Sequence, residues 1–321
     1  MIRAALLGLG NIAWKYDANK PDNDFPLSQG GTLKRYPGVE LVGGCSPDAG
    51  DRQGFSNWSG GLPAFAIPEE MLERLHPDMV GICSPTLAHF EHACLCLEAG
   101  VRLLWLEKPP TANSDELQQL IHLAEQRQAT VCVNYFRRYL PSYLHLRRMV
   151  QEQTMGACQT LRITYSPGLA RNGIHLLDQI FFVTGAQGYR LLWVEQDGSD
   201  DSPSFALRLP EGQLVLGCGG TLPYHTNDIS IQCTGGILSI LRGGKETSVA
   251  ESRENELFPG FFDLHMQKNS ALGAGGVEGY MQNSLADLLA CGANGGQPQS
   301  SLYSAFLSQR LLEDILKEAA I

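Results

Sequence analysis

Apolar positions in the first 130 residues fall into two alternating patterns. Short runs, "IRAALLGLG", "VELVGGCS", "LPAFA", "DMVGICSP" and "VRLLWLEKP", read as strands, and several are too uniformly apolar for a strand with one wet face. Between them "PEEMLERLH", "HFEHACLCLEAG" and "NSDELQQLIHLAEQRQ" carry helical spacing. Alternation of this kind predicts a doubly wound parallel sheet. A polar stretch, "YDANKPDNDFPLSQGG", delays the second strand and reads as a surface loop.

From about Thr130 the rhythm changes. "TVCVNYFRR" and "CQTLRITYS" read as strands, "YLPSYLHLRRMVQEQ" and "NGIHLLDQIFFVTG" as helices. The runs "RLLWVEQ", "SFALRLP", "QLVLGCGG" and "DISIQCTGGILSILRGG" then follow with little helix between them, which predicts a largely antiparallel open sheet. Two helices, "GYMQNSLADLLACG" and "SLYSAFLSQRLLEDILKEA", end the chain. The expected class is therefore α/β, with an N-terminal Rossmann domain over residues 1–130 and a second α/β domain over 131–321. The last helix, about 301–319, is a candidate to pack back on the first domain.

Composition narrows the function. A chain of 321 residues with 43% hydrophobic and 18% charged residues suits two soluble domains. Net charge is −10, and without a long basic cluster nucleic acid is not an expected partner. The apolar start "MIRAALLGLG" is short, runs into a glycine motif and lacks a cleavage site, so it reads as the first strand. No apolar run approaches the length of a membrane span. The nine cysteines lie mostly in apolar segments without a C-x-x-C pair, which suggests buried thiols and a cytoplasmic setting.

Two motifs carry chemistry. "GLGNIA" follows the first strand and is expected to open a helix. There Gly8 would make the tight turn, Gly10 would let a pyrophosphate approach, and Asn11 and Ile12 would line the cofactor. At the end of the second strand, where an acid would hold the ribose of NAD, stands Ser46, with Asp48 two residues on; the cofactor is NAD or NADP, with a lean to NADP. The second motif is "LEKPP". Pro109 and Pro110 cannot donate to a sheet ladder, so they stop the strand and hold Glu107 and Lys108 at its carboxyl edge, where ligands of open α/β sheets sit. A charge pair that merely caps the strand is the alternative.

With "GLGNIA", "SPTLAH", "AGVRLLWLEKP", "NYFRRY" and "GLARNGIHLLD" in this order, the chain resembles the Gfo/Idh/MocA oxidoreductases along nearly its whole length. The resemblance implies a Rossmann domain, a second domain whose open sheet often mediates oligomers, and reversible hydride transfer at a sugar or cyclitol carbon. It implies that Lys108 meets the reacting hydroxyl with Glu107 positioning it, and that His175 and Asp178 point at the substrate. Ser84, Thr86 and His89 would lie along the nicotinamide, with a loop that merely caps the next helix as the alternative, while Asn134, Arg137 and Asn172 would line the substrate cleft. Arg138 belongs to the same segment. Where the inositol dehydrogenases carry an aspartate this chain has Arg171, which suggests an anionic sugar; an arginine paired with a surface carboxylate is the alternative. His89 and His92 stand three apart without an acidic partner to complete a set, so no metal is expected. The expected protein is an NAD(P)-dependent dehydrogenase of a sugar or polyol, a homodimer or homotetramer through the second sheet. The alternatives are a regulator that has lost the chemistry and an NAD-dependent glycoside hydrolase.

Overall fold

The computed structural model describes residues 1–21, 24–196, 201–267 and 271–319, so Asp22 and Asn23 of the expected loop lie outside it. The chain divides into two compact units, Met1–Phe136 with Gly279–Phe306, and Arg137–Glu278 with Leu307–Ile321.

In the first unit the elements run β1 (Ile2–Leu7), α1 (Gln29–Arg35), β2 (Val39–Cys45), α2 (Ala49–Ser59), β3 (Ala64–Phe65), α3 (Pro68–Leu75), β4 (Met79–Ile82), α4 (His89–Glu98), β5 (Leu103–Leu106), α5 (Ser114–Gln126) and β6 (Thr130–Val133). The six strands are parallel in the order β3-β2-β1-β4-β5-β6, the doubly wound sheet that the alternating runs predict. Every residue of β4 and β5 is buried, which accounts for their unbroken apolar sequence. Helix starts follow their caps. The Asp48 side chain accepts from Asp51 N ahead of α2, Asn113 does the same for Glu116 N ahead of α5, and Pro68 opens α3.

The helix expected directly after "GLGNIA" is interrupted. Residues 11–14 form one turn, a short 3₁₀ segment covers Lys15–Asp17, and α1 begins only at Gln29. Even so, Gln29 N donates to Ile12 O at 2.9 Å and Gly30 N to Ala13 O at 2.7 Å, so α1 stacks on that first turn as its continuation. Buried Asp17 closes the excursion by accepting from Leu27 N at 3.0 Å and Ser28 N at 2.8 Å. The polar segment is thus an insertion into the helix, pinned at its base by one carboxylate.

The second unit holds α6 (Pro141–Gln151), β7 (Cys158–Ser166), α7 (Ile174–Thr184), β8 (Arg190–Glu195), β9 (Ser204–Arg208), β10 (Leu214–Gly219), β11 (Thr226–Cys233), β12 (Gly236–Leu241), β13 (Glu246–Glu254) and β14 (Phe262–Met266). Its sheet has the order β14-β13-β12-β11-β7-β10-β9-β8, antiparallel except where β10 runs parallel to β7. β13 and β14 extend it beyond the strands that the sequence marks.

The chain then returns to the first unit. α8 (Tyr280–Asn294) packs on β5 and β6, and Val133 N donates to Ser300 O at 2.7 Å. α9 (Leu302–Glu318) passes from one unit to the other after Phe306. The boundary expected at residue 130 therefore falls after Phe136, and residues 279–306 belong with the Rossmann sheet, because β6 and α8 complete its last edge. Among the described residues no helix is long and apolar enough to cross a membrane.

Candidate functional site

At the carboxyl ends of β1, β2 and β4 lies a cavity of about 710 Å³ lined by Gly8, Gly10, Ser46, Asp48, Ser84 and His92, among others. Each glycine has its own reason for being there. Gly8 has φ +87°, and a Cβ on it would come within 2.5 Å of Ser84 N, so the turn needs glycine to lie against the end of β4. A Cβ on Gly10 would meet nothing within 4 Å. That open space above a glycine turn is what a pyrophosphate needs, and the cavity fits a dinucleotide cofactor. Asn11 is exposed and Ile12 half-buried in the turn that follows.

Ser46 is buried, and its hydroxyl accepts from Asp48 N at 3.3 Å. Beside it Arg52, on the first turn of α2, donates to Ser46 O at 2.8 Å and Pro47 O at 2.9 Å. No local motif marks Arg52. It stands six residues past Ser46 and returns to that edge only because α2 folds it back.

Next to the cavity, β5 is followed by Glu107 and Lys108 and then by a cis Lys108–Pro109 bond. Glu107 is buried, and its Oε1 accepts from Gln29 Nε2 at 2.9 Å and from Asn134 Nδ2 at 2.7 Å. Burial pushes the Glu107 carboxyl above the usual carboxylate range, and the two amide donors and Lys108 pull it partly back. Lys108 itself is half-buried. Gln29, which no local motif marks, reaches this site because α1 resumes after the insertion. Gly81 of β4 leaves room for it, since a Cβ there would stand 2.4 Å from Gln29 Oε1. Asn134, expected to line the substrate cleft, instead holds Glu107.

His89 is held by backbone on both sides of its ring. Its ring is buried, with Nδ1 2.8 Å from Pro109 O and Nε2 2.8 Å from Ser84 O. Both ring nitrogens are spent on backbone, tying the segment after Lys108 to the loop after β4. His92 Nδ1 lies 2.9 Å from Ser84 Oγ and lines the cavity. Thr86 is half-buried in the 3₁₀ turn Thr86–Ala88.

In the second unit His175 sits buried on the first turn of α7. Asp178, one turn on, is fully buried and forms a two-pronged pair with Arg138, whose Nη2 donates to Oδ1 at 2.7 Å and Nε to Oδ2 at 2.9 Å. Burial pushes the Asp178 carboxyl up while the guanidinium pulls it down. The aspartate expected to point at the substrate is thus committed to a buried ion pair. Arg137 is also buried, and its charge acts on the buried Tyr143 hydroxyl. Asn172 donates from Nδ2 to Ser166 O at 2.6 Å and Thr226 O at 2.8 Å, which clamps β7 to β11 and takes up the amide expected to meet substrate. Arg171 is exposed and stands 3.7 Å from Asp201. Among the described residues no cluster of three or more histidine, cysteine and acidic side chains could hold a metal.

Known proteins resemble this arrangement. D-glucoside 3-dehydrogenase of Escherichia coli strain K12 is 26% identical over 205 residues, 57% of this chain and 54% of that protein, so the chain spans about half the length of that relative. KijD10, a 3-ketoreductase from Actinomadura kijaniata solved with NADP, superposes with a TM-score of 0.77 at 18% identity over 99% of this chain and 97% of its own. An oxidoreductase from Agrobacterium radiobacter solved with NAD+, L-tartaric acid and magnesium gives 0.74 at 16% identity, over 99% and 96%. Residues 2–135 match the model of the oxidoreductase family with the NAD-binding Rossmann fold, Gfo/Idh/MocA.

Proposed function

We propose that the protein is an NAD(P)-dependent dehydrogenase or reductase acting on a CH–OH group of a sugar-like or polyol substrate. The observation that carries this reading is the Gln29–Glu107–Asn134 network, which fixes the residue before Lys108 at the same sheet edge that carries the dinucleotide-sized cavity. Gly8, Gly10 and the turn at Asn11 and Ile12 would hold the pyrophosphate, and Ser84 and Thr86 the nicotinamide side. When bound, the nicotinamide gives or accepts the hydride. Lys108 holds the reacting hydroxyl and exchanges its proton, His175 relays a proton, and Arg138 with Asp178 fixes the helix that carries His175. Named relatives that are sugar and inositol dehydrogenases support the substrate class.

Between the two cofactors we favour NADP. Ser46 adds no charge at the ribose position, Arg52 stands at the same edge, and Asp48 spends its carboxylate on capping α2. Arg171 lends less support to an anionic substrate than its place in the sequence suggests, because it is exposed and shares its charge with Asp201. An assembly through the second sheet is supported by the apolar exposure of Leu257, Phe258, Phe261, Phe262, Leu264 and Met266 around β14.

Purified protein should change the absorbance of reduced nicotinamide only when a cognate sugar, cyclitol or nucleotide sugar is present, with NADPH bound more tightly than NADH. Tight binding of neither cofactor removes the reading. Binding without turnover across a broad panel favours a regulator, and released sugar without net reduced cofactor favours a hydrolase.

A further inference from the structure

Cys158 and Cys233 face each other across β7 and β11 at the end of the second sheet. The register shifts at this point: Thr160 pairs with Gln232 and Cys158 with Cys233, so Gln159 is the extra residue of a bulge. A bulge re-aims the side chains beside it. Both residues are half-exposed, unlike Cys83 and Cys96 in the first unit's core. Beyond them the strand ends are closed, with Thr234 N donating to Ala157 O at 3.0 Å, Ala157 N to Thr234 Oγ1 at 3.1 Å and Gly235 N to Met155 O at 2.8 Å. Directly opposed Cα atoms of antiparallel strands lie about 4.5–5.5 Å apart, inside the range of about 4.4–6.8 Å that a disulfide spans.

We propose that Cys158 and Cys233 form a redox-modification site, a reversible disulfide closed by a low-molecular-weight disulfide such as oxidised glutathione. Cys233, whose thiol the neighbouring Cys158 thiol draws below its usual range, loses its proton and attacks one sulfur of the oxidant. The protein–glutathione S–S bond forms and one glutathione thiolate leaves, taking up a proton. Cys158 then loses its proton and attacks the Cys233 sulfur, expelling the second glutathione. Two protein thiols are oxidised, and one glutathione disulfide is reduced to two thiols. The bond ties β7 to β11, which are far apart in sequence, and it involves none of the residues assigned to cofactor or substrate.

The test is exposure of the folded full chain to oxidised glutathione, alkylation of remaining thiols and peptide mapping by mass spectrometry. The expected result is one linked peptide pair holding Cys158 and Cys233, a mass loss of about 2 Da, and reversal by dithiothreitol. Tm should rise by at least about 3 °C in the oxidised form, since the bridge constrains a long loop of the unfolded chain. Cys158→Ser and Cys233→Ser should each form no internal bridge and retain one glutathione on the remaining partner. Complete alkylation of both residues after oxidation of folded wild-type protein overturns the proposal, as does bridging only between other cysteines. The wild-type map decides the matter even if a variant folds poorly.

Discussion

Asn134 Nδ2 donates to Glu107 Oε1 at 2.7 Å, and Gln29 Nε2 donates to the same oxygen at 2.9 Å. The buried acid next to the candidate proton-handling lysine is therefore held from two elements at once, the end of β6 and the start of α1.

That restraint has a cost that pH exposes. Burial raises the Glu107 pKa above its ordinary value of 4.5 despite the donors, so the folded chain binds this proton more tightly than the unfolded chain does. The group's contribution to stability is then full below the ordinary value and is lost as pH rises through the raised one. Ionised Glu107 lowers stability at neutral pH. Glu107→Gln, which keeps an oxygen for both donors, should raise the urea midpoint at neutral pH, flatten its fall between mildly acidic and neutral pH, and impair turnover. A lower midpoint than wild type at neutral pH would refute this account.

On the proposed role of the lysine, which acts on the reacting hydroxyl more than on the dinucleotide, Lys108→Met should abolish turnover while leaving NADPH affinity nearly unchanged. His175→Ala should cost about 10²-fold or more in kcat, the usual scale for a general acid/base. Steady-state kinetics beside fluorescence titration of the cofactor separate the two effects. Near wild-type kcat in both variants would move the chemistry to other residues.

The edge of the first sheet was legible because it depends on short-range signals: apolar runs for β4 and β5, glycines for the first turn, prolines for the stop after Lys108. Gln29 was not legible, since its reach to Glu107 depends on an insertion that displaces α1 in sequence but not in space. α2 escaped because only Phe55 of its residues is buried, which leaves no apolar stripe to read. β14 escaped because all its residues are exposed and neither face imposes an alternation. The spacing of His175 and Asp178 put both on one helix face, yet the partner of Asp178 lies 40 residues away, at a separation that no local pattern encodes.

The pairing of Asp178 with Arg138 makes a distinct expectation. Removing one partner of a buried ion pair leaves an uncompensated charge, which costs about 3–5 kcal/mol. Asp178→Ala should therefore lower the urea midpoint sharply, and activity should fall with the folded fraction. A variant of wild-type stability with kcat reduced 10²-fold or more, on the scale of a general acid/base, would instead return Asp178 to the reaction itself.

The two glycines of the first turn separate fold from binding most cleanly. Gly8 occupies a positive φ and has Ser84 N within 2.5 Å of where a Cβ would stand, so Gly8→Ala must both strain the turn and push on the end of β4. It should destabilise the protein, and cofactor binding should weaken as a consequence. Gly10 is different: its φ is not in the positive region, and a methyl group there meets no protein atom within 4 Å. Gly10→Ala should leave the urea midpoint within about 0.5 kcal/mol of wild type, the range of an unobstructed surface change. If the open space above Gly10 is where the pyrophosphate lies, the same methyl should weaken NADPH binding at least tenfold, read by fluorescence titration on protein of unchanged stability. Unaltered affinity in Gly10→Ala would place the dinucleotide elsewhere on the sheet edge.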